Sequence, residues 1–158
     1  MKVVIADTSC LIVYDKIQGL DILRKTFSEL VITQQVREEF GVLPDWLNVS
    51  VIEEKDELYL KLLNNLGQGE ASSIALASQM KNSLLIIDEK KGRIAALKHG
   101  ISIIGSLGVL VEAKRKGVIA SVRDTITKIE QTNFRVSKSI KKKILERPVN
   151  NAISLAWL

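Results

Sequence analysis

Two aspartates stand directly after short apolar runs: Asp7 follows VVIA and Asp88 follows LLII. In an open α/β sheet, ligands bind just beyond the carboxyl ends of the strands, where the strand order reverses. If the order is 3-2-1-4-5, the first and fourth strands meet at that switch and Asp7 and Asp88 sit side by side; the order is an assumption at this point. Two further carboxylates are candidates to join them. Glu70 lies in GQGEASSIALA, in the first turn of an Ala-rich helix, and Glu39 lies in QQVREEF. On that helix Val36 and Phe40 are i,i+4 partners facing the sheet, Glu39 flanks their buried face, and Glu38 points further toward solvent. Taken singly, each acid has an ordinary reading: Asp7 and Asp88 as helix N-caps, Glu70 as a complement to a helix dipole, Glu39 as a surface charge. Taken together they are like charges that raise one another's pKa unless a cation neutralises them. Hard cations such as Mg²⁺ and Mn²⁺ prefer oxygen ligands and are commonly completed by water and phosphate. The chemistry this suggests is metal-assisted hydrolysis of a phosphodiester.

The elements that must position these acids can be read from periodicity. Apolar runs at Val3–Ala6, Leu30–Ile32, Val49–Ile52, Leu84–Ile87 and Ile101–Ile104 read as strands. Several are apolar throughout rather than alternating, which suits parallel strands covered on both faces. Helical patterns lie between them: from a Thr33 cap through Phe40, over Glu54–Leu66, over Glu70–Met80, over Glu89–His99 ending at Gly100, and over Ser106–Lys116 ending at Gly117. Strands alternating with helices predict an α/β fold, a mostly parallel five-stranded sheet flanked by helices. After Gly117 the pattern changes to two further helices, 122–131 and 138–146, the second carrying Lys138, Lys141, Lys142 and Lys143, with Pro148 stopping it. The expected organisation is a core over 1–120 and a helical extension of the same domain over 121–158. The extension ends in an apolar tail, VNNAISLAWL, which either docks on its own core or fills a partner's groove.

Composition narrows the classes. The 158 residues suit one domain, and 46% hydrophobic with 26% charged residues is ordinary globular composition. The lone cysteine, Cys10, excludes an internal disulfide and has no partner for a zinc site. The lone histidine, His99, argues against a His-rich metal site and a Ser-His-Asp triad. The run before Asp7 is too short for a signal-peptide core and no stretch matches a membrane helix, so a cytoplasmic protein without membrane attachment is expected. Residues 1–80 hold 7 Lys/Arg against 12 Asp/Glu, and residues 81–158 hold 16 against 6. A basic half points to an anionic partner such as nucleic acid. Lys90, Lys91 and Arg93, on the helix after Asp88, are candidates for contact with flanking phosphates, and so is the Lys138–Lys143 cluster. Their ordinary reading is a solvated helix face. Aromatic residues are 4% of the chain, which disfavours recognition by base stacking.

The motifs VIADTSCLI, VREEF, GQGEASSIALA, LLIIDEKKGRIAA and IIGSLGVLVEAKRKGVI, in this order, resemble PIN-domain proteins through about residue 120. Position by position, the family's acidic set falls on Asp7, Glu39, Glu70 and Asp88 as catalytic residues, with Asp7, Glu70 and Asp88 expected to hold one or two metal ions and Glu39 to bind directly or through water. Ser106 falls where the family commonly has Thr or Ser, Ser9 on a small polar position after the first acid, and Glu89 where relatives often carry a second acid. The third acid is often Asp in the family and is Glu70 here. The resemblance implies a PIN-like three-layer sandwich and a ribonuclease dependent on Mg²⁺ or Mn²⁺. Many such proteins resemble the toxins of toxin–antitoxin pairs, often dimeric and silenced by a small antitoxin, and others process ribosomal or messenger RNA; the implied partners are RNA, a small antitoxin and a second copy in a homodimer. A catalytically silent PIN-like module that binds RNA or protein is the alternative. An aspartyl-phosphate phosphotransferase would need a second Asp where Ser9 stands, a phospho-accepting receiver lacks a convincing acidic pair and late Lys, and a nucleotide-binding sheet would need a glycine-rich fingerprint after the first strand.

Overall fold

The computed structural model describes residues 2–146. Met1 and residues 147–158, including Pro148 and the apolar tail, lie outside the described residues. Five strands form one sheet: β1 (Val3–Ala6), β2 (Leu30–Thr33), β3 (Asn48–Ser50), β4 (Ser83–Ile86) and β5 (Ser102–Ile104). Their order is β3-β2-β1-β4-β5, and every neighbouring pair is parallel. The order assumed from sequence is therefore the order observed, and the switch falls between β1 and β4.

The apolar runs follow from two-sided burial. Side chains alternate across a strand, so Val4 and Ala6 of β1 enter one core cluster while Ile5 enters the other. Ile86 and Leu85 of β4, and Ile104 and Ile103 of β5, divide in the same way. One face is covered by α1 (Thr8–Lys16), α2 (Leu20–Thr26), α7 (Ser106–Arg115), α8 (Val122–Glu130) and α9 (Lys138–Glu146), through residues such as Leu11, Tyr14, Leu23, Leu110, Ile126 and Ile144. The other face is covered by α4 (Glu57–Leu62), α5 (Gln68–Gln79) and α6 (Lys90–Lys98), through Tyr59, Leu62, Ile74 and Ala96. The remaining helix, α3 (Gln34–Phe40), follows β2 and buries Val36.

Local signals explain most boundaries. Thr33 caps α3 by accepting from Val36 N–H at 3.1 Å, as its position before the helix predicts. Gly100 and Gly117 adopt positive φ, 69° and 74°, just past α6 and α7, where a left-handed residue ends a helix. The structure differs from expectation in three places. The third strand lies at Asn48–Ser50 rather than Val49–Ile52. The helix expected over Glu54–Leu66 is confined to Glu57–Leu62; its start is fixed by Asp56, which caps it by accepting from Tyr59 N–H at 2.9 Å. Finally, α1 and α2 are not among the elements expected from sequence; α1 carries no clear amphipathic stripe, since it buries Thr8, Cys10, Leu11, Val13 and Tyr14 on several sides.

Candidate active site

Asp7 is carried to the switch by the β1–β4 ladder. Ala6 pairs with Ile86, and Asp7 N–H donates to the Ile86 carbonyl at 3.1 Å. Its side chain is 2% exposed. It stands at the N-cap position of α1 yet makes no capping hydrogen bond, and its Oδ1 is buried without a partner. Burial pushes its carboxyl up to about 7; the Thr8 backbone opposes the rise, and the charges of Glu39, Asp88 and Glu89 add to it.

Glu70 arrives from the first turn of α5. Its Oε2 is also buried without a partner. Its carboxyl is pushed up to about 7, first by burial, then by the charges of Asp7 and Glu89 and a hydrogen bond with Glu89, against a lowering contribution from the Gly67 backbone. The first turn of α6 presses on this group. A Cβ added at Gly92 would stand 2.8 Å from Glu70 Oε2 and 2.6 Å from Ile87 Cδ1, so any larger residue obliges these side chains to shift.

Asp88 is held by the start of α7. Ser106 donates its N–H to Oδ1 at 2.8 Å and its hydroxyl to Oδ2 at 2.5 Å. The buried Tyr14 hydroxyl donates to the Ser106 carbonyl at 2.8 Å, fixing the residue that fixes Asp88. Burial raises the Asp88 carboxyl, while the Ser106 bonds and the Arg93 charge lower it. Arg93 is turned inward rather than out: its Nη1 donates to the Ile87 carbonyl at 2.8 Å.

Glu39, like Asp88, has both oxygens engaged. Its Oε2 accepts from Thr8 Oγ1 at 2.6 Å and its Oε1 from Gly69 N–H at 2.8 Å. The structure thus gathers Asp7, Glu70 and Asp88 into one charged neighbourhood, with Glu39 and Glu89 beside them, and Glu39 is held there by the Thr8 hydroxyl and the Gly69 backbone. Ser106 lies where the sequence reading expects it, with a concrete role against Asp88. Ser9 is exposed on α1; its neighbour Thr8 makes the contact in this region. Lys90 and Lys91 are exposed at the start of α6. Thr8, Gly69, Gly92 and Tyr14 were not singled out from sequence. Thr8 and Gly69 do sit next to Asp7 and Glu70, the signal that points to them.

Among the described residues no three His, Cys, Asp or Glu side chains already close on a single point as a metal-ligating group. The donors nevertheless suit a hard cation. Two buried carboxylate oxygens lack any partner, and a third carboxylate stands alongside. Mg²⁺ commonly takes one or two carboxylates and completes its shell with water and phosphate.

A parallel sheet of this order, with carboxylates converging at its switch point, defines a class of α/β domain that carries an acidic site at the strand ends. Within that class the sequence model of a family described as a PIN domain matches residues 3–149, and the chain belongs to the PIN-domain family. Proteins of this family are generally nucleases that bind RNA and use divalent metals. A search of curated proteins and a search of solved structures find no match. No helix among the described residues is long and apolar enough to cross a membrane.

Proposed function

We propose that this protein is an endoribonuclease that hydrolyses RNA phosphodiester bonds with Mg²⁺ or Mn²⁺ held by Asp7, Glu70 and Asp88. The observation that carries the reading is the pair of buried, unpartnered oxygens, Asp7 Oδ1 and Glu70 Oε2. An unpaired buried carboxylate is costly, and a bound cation is the compensation its chemistry favours. When bound, a divalent ion would supply Lewis acidity toward the phosphate and make a water acidic enough to attack phosphorus at neutral pH. The chain's own residues hold the geometry. Ser106 and Tyr14 keep Asp88 oriented, the β1 ladder keeps Asp7 at the switch, and Gly92 lets α6 close over Glu70. A side-chain nucleophile is disfavoured. Cys10 is fully buried with its thiol pushed up, and Ser106 is fully buried with its hydroxyl committed to Asp88. In this reading water is the attacking group. The exposure of Lys90 and Lys91 at the start of α6 supports them as contacts for phosphates flanking the cut, whereas Arg93 serves the scaffold around Asp88.

The likeness to toxins of toxin–antitoxin pairs supports a small antitoxin protein and a homodimer as partners, in the cytoplasm. The deciding experiment incubates a mixed RNA pool with the protein and Mn²⁺, Mg²⁺ or EDTA, and compares wild type with Asp7→Asn. Metal-dependent cutting lost in the variant is the expected result. An absence of both cutting and Mn²⁺ binding in the wild type would leave only a module that binds RNA or protein.

A further inference from the structure

We infer that Glu39 is a positioning residue: with Thr8 and Gly69 it forms a clamp that fixes the placement of Asp7 relative to Glu70. The inference rests on the reading that Asp7 and Glu70 act together on a divalent cation.

The geometry is specific. One carboxylate bridges two helix starts, taking the Thr8 hydroxyl of α1 on Oε2 at 2.6 Å and the Gly69 N–H of α5 on Oε1 at 2.8 Å. Thr8 is the residue after Asp7, and Gly69 is the residue before Glu70. The bridge therefore ties together the two backbone segments that carry the unpartnered oxygens. Both Glu39 oxygens are engaged, whereas Asp7 and Glu70 each keep one buried oxygen with no partner.

The fit leaves no room for a larger residue. A Cβ at Gly69 would lie 2.5 Å from Glu39 Oε2, 2.9 Å from Thr8 Oγ1 and 3.0 Å from Glu39 Cδ. The clamp also stands on firm ground. The Gly69 carbonyl accepts from Ser72 Oγ at 3.0 Å and Ser73 Oγ at 2.7 Å, and Ser72 Oγ lies 2.7 Å from Thr33 Oγ1, the cap of the helix that bears Glu39. Thr33, Ser72 and Ser73 are fully buried. Outer groups that orient ligands in this way typically change metal affinity by about 10–100-fold when removed.

The test is Mn²⁺ affinity, read by electron paramagnetic resonance on the purified full chain, for wild type, Thr8→Val, Thr8→Ser, Glu39→Gln, Glu39→Ala and Asp7→Asn. Glu39→Gln can keep the clamp, since its amide oxygen still accepts from Gly69 and its amide nitrogen can donate to Thr8. Thr8→Val should weaken Mn²⁺ binding by about 10–100-fold and Thr8→Ser should restore it to within about threefold. Glu39→Gln should bind far better than Asp7→Asn, and Glu39→Ala should resemble Thr8→Val. Thr8→Val binding as wild type does, or Glu39→Gln losing as much as Asp7→Asn, would overturn the clamp. If Thr8→Val does not fold, the contrast of Glu39→Gln with Glu39→Ala decides, because only Gln can rebuild the two hydrogen bonds, and equal losses in both overturn the clamp. A wild type that binds no Mn²⁺ and cuts no RNA overturns the nuclease reading and the clamp with it. A wild type that binds and cuts while the variants do not follow this pattern overturns the clamp alone.

Discussion

A carboxylate that is 2% exposed, with one oxygen unpartnered, works against the fold whenever it is charged. Asp7 holds its proton up to about pH 7 in the folded chain, against an ordinary value of 3.8, so the folded state binds more protons than the unfolded one between those values. Stability from this group is full below the lower value and is lost as pH rises through about 7. Glu70, also raised to about 7, acts in the same direction. Thermal melts of the metal-free protein should therefore show this component of Tm falling from pH 5 to pH 8, with Mn²⁺ recovering it at the upper end. Asp7→Asn should flatten the fall and raise Tm at pH 8 by roughly 2–4 °C for each kcal/mol recovered. The same substitution should lower cleavage by on the order of 10³-fold or more if the charge supports the transition state. A variant that cuts normally would remove Asp7 from the site.

At the scale of elements, α6 shows propensity and packing in opposition. Alanine is favoured over glycine inside a helix by roughly 1 kcal/mol. At Gly92, however, a Cβ meets the fully buried Ile87 and the Glu70 carboxylate. Gly92→Ala should leave the denaturant midpoint little changed, because the helix gains what packing loses, while cleavage falls by about tenfold as Glu70 is displaced. Unchanged cleavage would show that Glu70 relaxes without cost. On α9, Lys138 and Lys142 are exposed, whereas Lys141 pairs with Glu130 at 2.9 Å. If this helix meets RNA, replacing Lys138 and Lys142 with Ala should lower the slope of log affinity against log salt by about 0.7 for each phosphate contact removed. An identical slope would place the helix outside the interface.

At the scale of the whole molecule, the two helices after Gly117 share the core that supports the site. Ile126 and Ile129 of α8 and Ile144 of α9 are buried in the cluster that also holds Tyr14 and Leu110. Tyr14 in turn steadies Ser106 and Asp88. Ile126→Ala should cost about 2–5 kcal/mol, the usual range for such a deletion in a packed core. Denaturant unfolding followed by tryptophan fluorescence and by circular dichroism should still give one coincident transition. Two separate transitions would show that α8 and α9 fold as an appendage.

The sequence by itself determined the alternation of strands and helices, the caps at Thr33, Gly100 and Gly117, and the four acids, because these are local signals. Period, turn chemistry and a carboxylate after an apolar run are all written within a few residues. The strand order could only be assumed from sequence, since which runs become neighbours is settled by packing across long separations. The buried helix α1 escaped notice because contact on several sides erases the polar stripe by which a helix is recognised. The differing environments of the acids were likewise invisible in the sequence. Glu39, Glu70 and Asp88 look equivalent as residue types, and only the tertiary structure gives Glu39 two donors, seats Asp88 on Ser106, and leaves Asp7 and Glu70 each with a buried oxygen and no partner. The donors that distinguish them come from helices 18 to 31 residues away in the chain, brought together only when the sheet is covered.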